Sequence, residues 1–319
     1  MNYLKKLGCA VMGIAIVLAT KTDALAADVL RIAVNQRGIW ESSVSHIGQA
    51  AGIFNKHGIE LDLVYTKGGG ESLPVVISGG VEVAIAVGTM GVLRAYAQGA
   101  PVRIIGSTAT GDNMYWYSAA NSPIKSPKDA DGKTIAYSSN GSSSHHFVLE
   151  LIKHYNMKAK PVPSGSVAAT FTQVMLGQID VGWAAPPFGI DAIDSRKIRV
   201  IARTNDLPSI QNQTVRVLVS NLRTVRSRKD TLVRFMRAYK ETIEFMYKEP
   251  SALQVYGKFA NVTEALARRM KDEFFPKDML WRDKIGGIDE AMATAVRLNY
   301  LRAPLSKEQV AELIQIPAQ

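Results

Sequence analysis

The stretch Lys133-Thr134-Ile135-Ala136-Tyr137-Ser138-Ser139-Asn140-Gly141-Ser142-Ser143-Ser144-His145-His146-Phe147-Val148-Leu149-Glu150-Leu151-Ile152 decides how the chain is read. Lys133 to Tyr137 holds a short apolar run of the kind that forms a buried strand, and Phe147 to Ile152 reads as a helix. Between them lies a small, hydroxyl-rich loop. Such a loop leaves the first N–H groups of the helix without intrahelical acceptors, and the helix dipole adds partial positive charge there. This helix start is either an ordinary Ser/Asn cap or a seat for an anion or polar acceptor.

The same strand–loop–helix unit recurs outward in both directions. Towards the N-terminus, strands are expected at Val29–Val34, Ile59–Tyr65, Val81–Val87 and Val102–Ser107. Helices are expected at Val44–Asn55, Glu71–Ser78 and from Gly88 to near Gly99. Towards the C-terminus come a helix at Val167–Leu176, a strand at Ile179–Trp183, a helix at Pro187–Asp194 and strands at Ile198–Ala202 and Val215–Ser220. Alternation of this kind argues an α/β fold with mainly parallel sheets. From Lys229 the spacing is helical, with segments at Leu232–Tyr247, Ser251–Phe259, Thr263–Phe274 and Asp289–Leu301. An internal echo supports two lobes of similar build. Gly79, Val81, Glu82 and Val83 match Gly177, Ile179, Asp180 and Val181 at an offset of 98. Residues 27–115 with 217–319 are expected to form the first lobe and 116–216 the second, joined by a two-crossing hinge.

Residues 1–26 read as a cleaved signal peptide. Lys5 and Lys6 precede an apolar run from Leu7 to Thr20, and Ala24-Leu25-Ala26 fits the small-x-small cleavage rule. The mature chain would start at Ala27 in the periplasm. Cys9 is the only cysteine, so the mature chain has none, which excludes disulfides, a thiolate nucleophile and a cysteine metal site. Removing three lysines and Asp23 lowers the formal charge from +10 to +8. The basic residues are dispersed and form no stripe with aromatics between them, so no nucleic-acid partner is expected. His145 and His146 are adjacent and point about 100° apart on a helix, so no metal site is expected there.

Several phrases together carry a family resemblance. They are Gly48-Gln49-Ala50-Ala51-Gly52-Ile53-Phe54-Asn55-Lys56-His57-Gly58-Ile59-Glu60, Gly79-Gly80-Val81-Glu82-Val83-Ala84 and Gln98-Gly99-Ala100-Pro101-Val102. Further along stand Ile124-Lys125-Ser126-Pro127-Lys128-Asp129-Ala130-Asp131-Gly132-Lys133-Thr134-Ile135, and Gly177-Gln178-Ile179-Asp180-Val181 with Trp183 and Pro186. In this order, behind a secretory leader, they resemble the periplasmic substrate-binding proteins of ABC importers. The resemblance is to the SsuA/THI5-like group covering nitrate, sulfonate, taurine and thiamine-precursor binders. Ala130 departs from the leucine common there. The resemblance implies a two-lobed periplasmic binding protein fold that closes on a small-molecule ligand. It also implies a monomer that delivers this ligand to an inner-membrane permease with a cytoplasmic ATPase. Enzymes on related folds rely on cysteine, so no catalytic residue and no cofactor are expected.

Loops beyond the carboxyl ends of strands are where such sheets bind ligands. From the first lobe these loops offer Arg37 to pair with an anion, Trp40 to stack on a planar group, Ser42, and Gly88-Thr89-Met90 at a helix start. The second lobe offers Asn140, Ser142 and Ser143, with Trp183 and Pro186 at the next strand end. Tyr115 near the first crossing lies on one face of its strand, lining either the cleft or the core. Arg216 in the second crossing is either a cation for the ligand or a hinge salt bridge. Helix starts and positive charge favour a small organic anion, a sulfonate or carboxylate with or without an aromatic ring. The aromatics keep a pyrimidine or thiamine precursor as the alternative, with a cysteine-independent enzyme behind it.

Overall fold

The structure is a computed structural model that describes residues 27–280 and 284–318. The expected signal peptide therefore lies outside the described residues. In the first lobe, β1 (Asp28–Asn35) is followed by α1 (Val44–Ala50), α2 (Ile53–Lys56), β2 (Ile59–Thr66) and α3 (Gly69–Ser78). The lobe continues with β3 (Val83–Gly88), α4 (Thr89–Ala97) and β4 (Val102–Thr110). The chain then builds β5 (Tyr115–Ala119), β6 (Thr134–Tyr137), α5 (Ser143–His154), β7 (Lys160–Pro163) and α6 (Val167–Met175). After β8 (Gly182–Ala184), α7 (Ile190–Asp194) and β9 (Ile198–Arg203), strand β10 (Thr214–Asn221) returns to the first lobe. The tail comprises α8 (Leu222–Ser227), α9 (Lys229–Lys248), α10 (Ser251–Ala260), α11 (Glu264–Arg269), α12 (Lys277–Leu280), α13 (Ile288–Arg297) and α14 (Lys307–Leu313).

The first sheet has strand order β2-β1-β3-β10-β4, with β10 antiparallel to both neighbours. In the second lobe β8-β5-β9 and β6-β7 are joined through a parallel bridge between Ile135 and Val181. Ala136 N donates to Val181 O at 2.8 Å and Val181 N to Thr134 O at 3.0 Å, so the order runs on as β7-β6-β8-β5-β9. The two sheets thus share one plan, with β5 and β10 as their reversed strands. The sequence echo marks equivalent places in this plan. Glu82 Oε2 accepts from Arg31 N at 2.9 Å, and Asp180 Oδ2 accepts from Thr134 N at 2.9 Å. In each lobe the acidic residue before the third strand satisfies a backbone donor of the first strand that would otherwise be unpaired.

In the first sheet the reversed strand β10 arrives from beyond the second lobe, whereas β5 is the first strand of its own lobe. Tyr115 pairs with Ala184 and Arg203, while Thr214 and Arg216 pair with Thr110 and Ala109. The chain therefore changes sheets one to three residues earlier than the expected boundaries, with crossings at 111–114 and 204–213. Alternation along β1 divides the core: Ile32 and Val34 face the α1/α9 side, and Ala33 faces α3, α4 and α13. Helix α9 covers its side with Leu232, Phe235, Met236, Tyr239, Ile243 and Met246, spaced for one helical face.

Three local expectations change. The helix expected over 44–55 is broken at Gly52, whose φ of 73° ends α1 and starts α2. The strand Ile179–Trp183 is shorter, because Asp180 turns inward to cap Thr134 before β8 begins. Strand β7 was not anticipated, since Lys160-Pro161-Val162-Pro163 alternates with proline. As an edge strand it tolerates this: Lys160 and Ser164 send their N–H groups to Lys133 and Tyr137, so the interposed prolines fall on the outer side. Among the described residues no helix is long and apolar enough to cross a membrane.

Candidate functional site

The hydroxyl-rich loop 138–143 of the second lobe is seated in a trench on the first lobe. The trench is lined by glycines at the starts of α3 and α4. A methyl built on Gly70 would lie 2.2 Å from Asn140 O, one on Gly91 2.5 Å from Gly141 O, and one on Gly88 2.7 Å from Ser143 N. A methyl on Gly68 would meet Ser138 Oγ at 2.8 Å. Backbone thus packs on backbone across the lobes, an approach that only residues without a Cβ permit. The loop itself is held in shape from within. Ser142 Oγ accepts from His145 N at 3.2 Å as the α5 cap, and Ser144 Oγ lies 2.9 Å from both Ser138 Oγ and Ser142 Oγ.

The two helix starts singled out from sequence therefore come together directly, with Gly88 against Ser143. Thr89 Oγ1 donates to Thr214 O at 2.7 Å, and Met90 is buried in the first-lobe core. Ser142 and Ser143 are buried, whereas Asn140 is exposed and its Oδ1 accepts from Tyr137 Oη at 2.7 Å.

Beneath the seam lies a buried ion cluster. Arg216 meets Glu41 through both carboxylate oxygens, Nε to Oε1 at 2.5 Å and Nη2 to Oε2 at 2.9 Å. Its Nη1 pairs with Asp112 and reaches Ser143 Oγ at 3.3 Å. All three side chains are at most 3 % exposed. Burial opposes the charge on Arg216, but Asp112 and Glu41 together outweigh it and raise its pKa. Burial pushes the Glu41 carboxyl up, against the pull of Arg216. Two carboxyl groups face one guanidinium, and burial penalises a net negative charge there, in line with the upward push on Glu41. Asp112 also ties the crossings together: Thr204 Oγ1 lies 3.0 Å from Asp112 O and 3.1 Å from Asp112 Oδ1. Arg216 is thus held in ion pairs between strand β10, the loop after β1 and the first crossing. Glu41 and Asp112 were missed as its partners; the only trace in sequence was their position in a strand-end loop and a crossing.

The remaining candidates make no hydrogen bond to the loop 138–143 among those described. Trp40 is fully buried, packs edge-on to Tyr256 at 4.7 Å between centroids, and donates from Nε1 to Tyr247 Oη at 3.1 Å. Ser42 is buried beside it. Arg37 is exposed and lies 4.7 Å above the Phe259 ring and 5.4 Å from that of Tyr65. In the second lobe Trp183 is buried and donates to Ser164 Oγ at 3.2 Å. Tyr115 is buried with its hydroxyl on Phe188 O, and Pro186 is buried at the same strand end.

With this geometry in view, the sequence matches the family described as NMT1/THI5 like over residues 43–253, about two thirds of the 319 residues. The chain belongs to the NMT1/THI5-like family. The family match starts in the short helical turn after Trp40 and runs through the trench, both crossings and α9. No curated protein matches in sequence. Solved structures match in fold. The periplasmic aliphatic sulphonate binding protein SsuA of Escherichia coli is 18% identical, with TM-score 0.69, covering 92% of this chain and 93% of that one. The alkanesulfonate-binding protein SsuA of Xanthomonas axonopodis pv. citri, bound to MOPS, is 17% identical, with TM-score 0.72, covering 91% and 100%. The desulfurization enzyme DSZB is 14% identical, with TM-score 0.63, covering 91% and 96%. The fold is that of the periplasmic binding proteins, on which both binders and an enzyme are built.

A second set of contacts crosses the lobes in this NMT1/THI5-like protein, at the outer edge of the seam. Tyr300 Oη lies 2.9 Å from His145 Nδ1, and Arg297 Nη2 lies 2.7 Å from Glu150 Oε2. Burial, with Arg94 nearby, lowers His145 to about 4. His146 is fully buried with Nε2 unpartnered, and burial lowers it to about 3. Among the described residues no cluster of His, Cys, Asp or Glu is placed to hold a metal.

Proposed function

We propose that this protein is a periplasmic solute-binding protein that hands a small organic molecule to an ABC permease. The observation that carries the reading is the seating of loop 138–143 in the glycine trench across two chain crossings. Such a contact can form and part as the lobes close and open, because only loops and helix starts meet there. A ligand taken up between the lobes gains affinity from the contacts that exist in the closed arrangement. The one hydroxyl–imidazole contact described at the seam, Tyr300 Oη with His145 Nδ1, joins the two lobes, and Cys9, the only cysteine, lies in the expected signal peptide.

The ligand class best supported is a small organic anion, a sulfonate or carboxylate. The N-termini of α4 and α5 bring backbone donors and dipole charge to one seam, and the chain is net basic. Arg216 is already matched by two acids, so the anion would rest on helix donors and hydroxyls rather than on that side chain. A second reading, a donor-rich ring such as an aminopyrimidine, is favoured by the excess carboxylate of the Glu41–Asp112–Arg216 cluster. The test is to unfold the purified mature protein and identify released molecules by mass spectrometry. Thermal shifts with sulfonates, carboxylates and aminopyrimidines follow, since a ligand bound by the native state raises Tm. A raised Tm with one class assigns the ligand. Turnover of any panel member would overturn the binding-protein reading.

A further inference from the structure

The tail helix α13 and the turn after it reach the second lobe at two points, through Arg297 and Tyr300. Both residues lie beyond residue 253, where the family match ends. On their own side they are anchored, since Met292, Ala295 and Leu301 share a buried core cluster with Met90 and Leu93 of α4. On the facing side Phe147, Val148 and Leu151 anchor α5 in the other core cluster. Arg297 Nη2 donates to both oxygens of Glu150, at 2.8 and 2.7 Å. The Glu150 side chain is 8 % exposed, and among the described residues Arg297 is the only cation paired with it. A carboxylate buried to that extent is penalised when its cation is removed. Five residues back on α5, His145 Nδ1 lies 2.9 Å from Tyr300 Oη and 3.3 Å from Gly141 N. Its ring also stacks on Tyr137 at 4.3 Å between centroids. An acceptor at Nδ1 puts the ring proton on Nε2 and leaves the imidazole neutral, in keeping with the drop to about 4 that burial and Arg94 impose. Through Gly141 the same ring belongs to the loop in the trench, so these contacts and the seam form or part together. Neither Glu150–Arg297 nor His145–Tyr300 involves a backbone donor at the start of α4 or α5, so neither needs a solute in order to form.

We propose that Arg297 and Tyr300 are positioning residues that form a clasp, holding the lobes together through Glu150 and His145 before any solute arrives. The clasp rests on the reading that the lobes part and meet. It raises the fraction of chain with its lobes together, and with that fraction the affinity for every solute alike. The test uses the full mature chain, stripped of bound solute by unfolding and refolding. Glu60→Cys and Lys128→Cys, at exposed positions on the first and second lobes, carry spin labels, and double electron–electron resonance reads the distance between them. The labelled parent should show a dominant short distance. Arg297→Met keeps an aliphatic stem and should lower the ratio of short to long distance about tenfold to a hundredfold, as for a bond lost to a charged group. Tyr300→Phe should lower it about twofold to tenfold. Adding Glu150→Gln to Arg297→Met should recover part of the ratio, because no unpaired carboxylate is then buried. A merely structural role of Arg297 within the first lobe would not be mended from the second. Gly91→Trp, which fills the trench, supplies the distance of parted lobes. If Gly91→Trp stays short, lobe motion fails and the clasp with it. If Gly91→Trp opens while Arg297→Met and Tyr300→Phe keep the parent ratio, the clasp alone fails. A parent wholly at the long distance would overturn the clasp equally.

Discussion

Adding one methyl at Gly91 should separate folding from lobe closure. Gly91 is the third residue of α4 and does not have a positive φ, so alanine suits it locally. In the free lobe, Gly91→Ala should raise stability by about 0.5–1 kcal/mol, the usual difference between the two residues within a helix. In the closed arrangement the new Cβ would lie 2.5 Å from Gly141 O, about 0.9 Å inside the 3.4 Å at which ordinary contact begins. The carbonyl cannot simply retreat. The same loop is wedged at Gly70, where a Cβ would meet Asn140 O at 2.2 Å, and its Ser142 caps α5. Overpacking of this size costs about 1–3 kcal/mol, charged here to closure alone. Ligand recovered from the native protein should then bind about fivefold to 150-fold more weakly. Urea unfolding of the ligand-free variant, isothermal titration and small-angle scattering measure the three quantities. A variant that unfolds more easily yet binds ligand as wild type does would refute the reasoning, because the trench would then belong to the fold and not to closure.

Three further outcomes follow from the same geometry. Arg216→Met should destabilise by about 3–5 kcal/mol in chemical denaturation, because two buried carboxylates lose their cation; Glu41→Gln should cost under about 1 kcal/mol, since it leaves Arg216 and Asp112 as a balanced pair. Trp40→Ala should cost about 3–5 kcal/mol, as for a core aromatic, while Trp40→Phe should keep ligand affinity within about twofold by titration; a large affinity loss in Trp40→Phe would return that ring to the binding site. His145 and His146 are held down to about 4 and about 3, below the roughly 6.5 of an unfolded histidine. The unfolded chain therefore binds more protons between these values, so their contribution is complete above about pH 6.5 and is lost as pH falls. Each should surrender roughly 1–2 kcal/mol by pH 5, and His146→Leu should flatten the slope of stability against pH.

The sequence carried the alternation of strands and helices because buried strands of the sheet interior are short apolar runs, and β1, β3 and β6 are of that kind. The echo around Glu82 and Asp180 was legible for a physical reason: each acid caps a neighbouring strand at the same point of a shared plan. Strand β7 was not legible, since its prolines are tolerated only at an edge, and edge position is a property of the assembled sheet. Arg216 stood out as a buried-crossing cation, but its partners Glu41 and Asp112 lie 175 and 104 residues away in sequence and meet it only through the return of β10. Gly68-Gly69-Gly70 begins α3 and lines the trench, a role that depends on what arrives from the other lobe.

The late return of β10 to the first sheet also fixes an order of assembly. Strand β10 lies between β3 and β4, so the first lobe's sheet stays split until residues 214–221 have emerged. The second lobe uses only strands from 115 to 203, an uninterrupted run. A chain that emerges from its N-terminus thus completes its second lobe first, while β3 and β4 wait with open edges. Such edges are where unfinished sheets aggregate, so the interval before β10 arrives is when a holding chaperone has most to protect. In refolding, pulse-labelled amides of β5, β8 and β9 should gain protection before those of β3 and β4; the reverse order would show that the split sheet closes by another route.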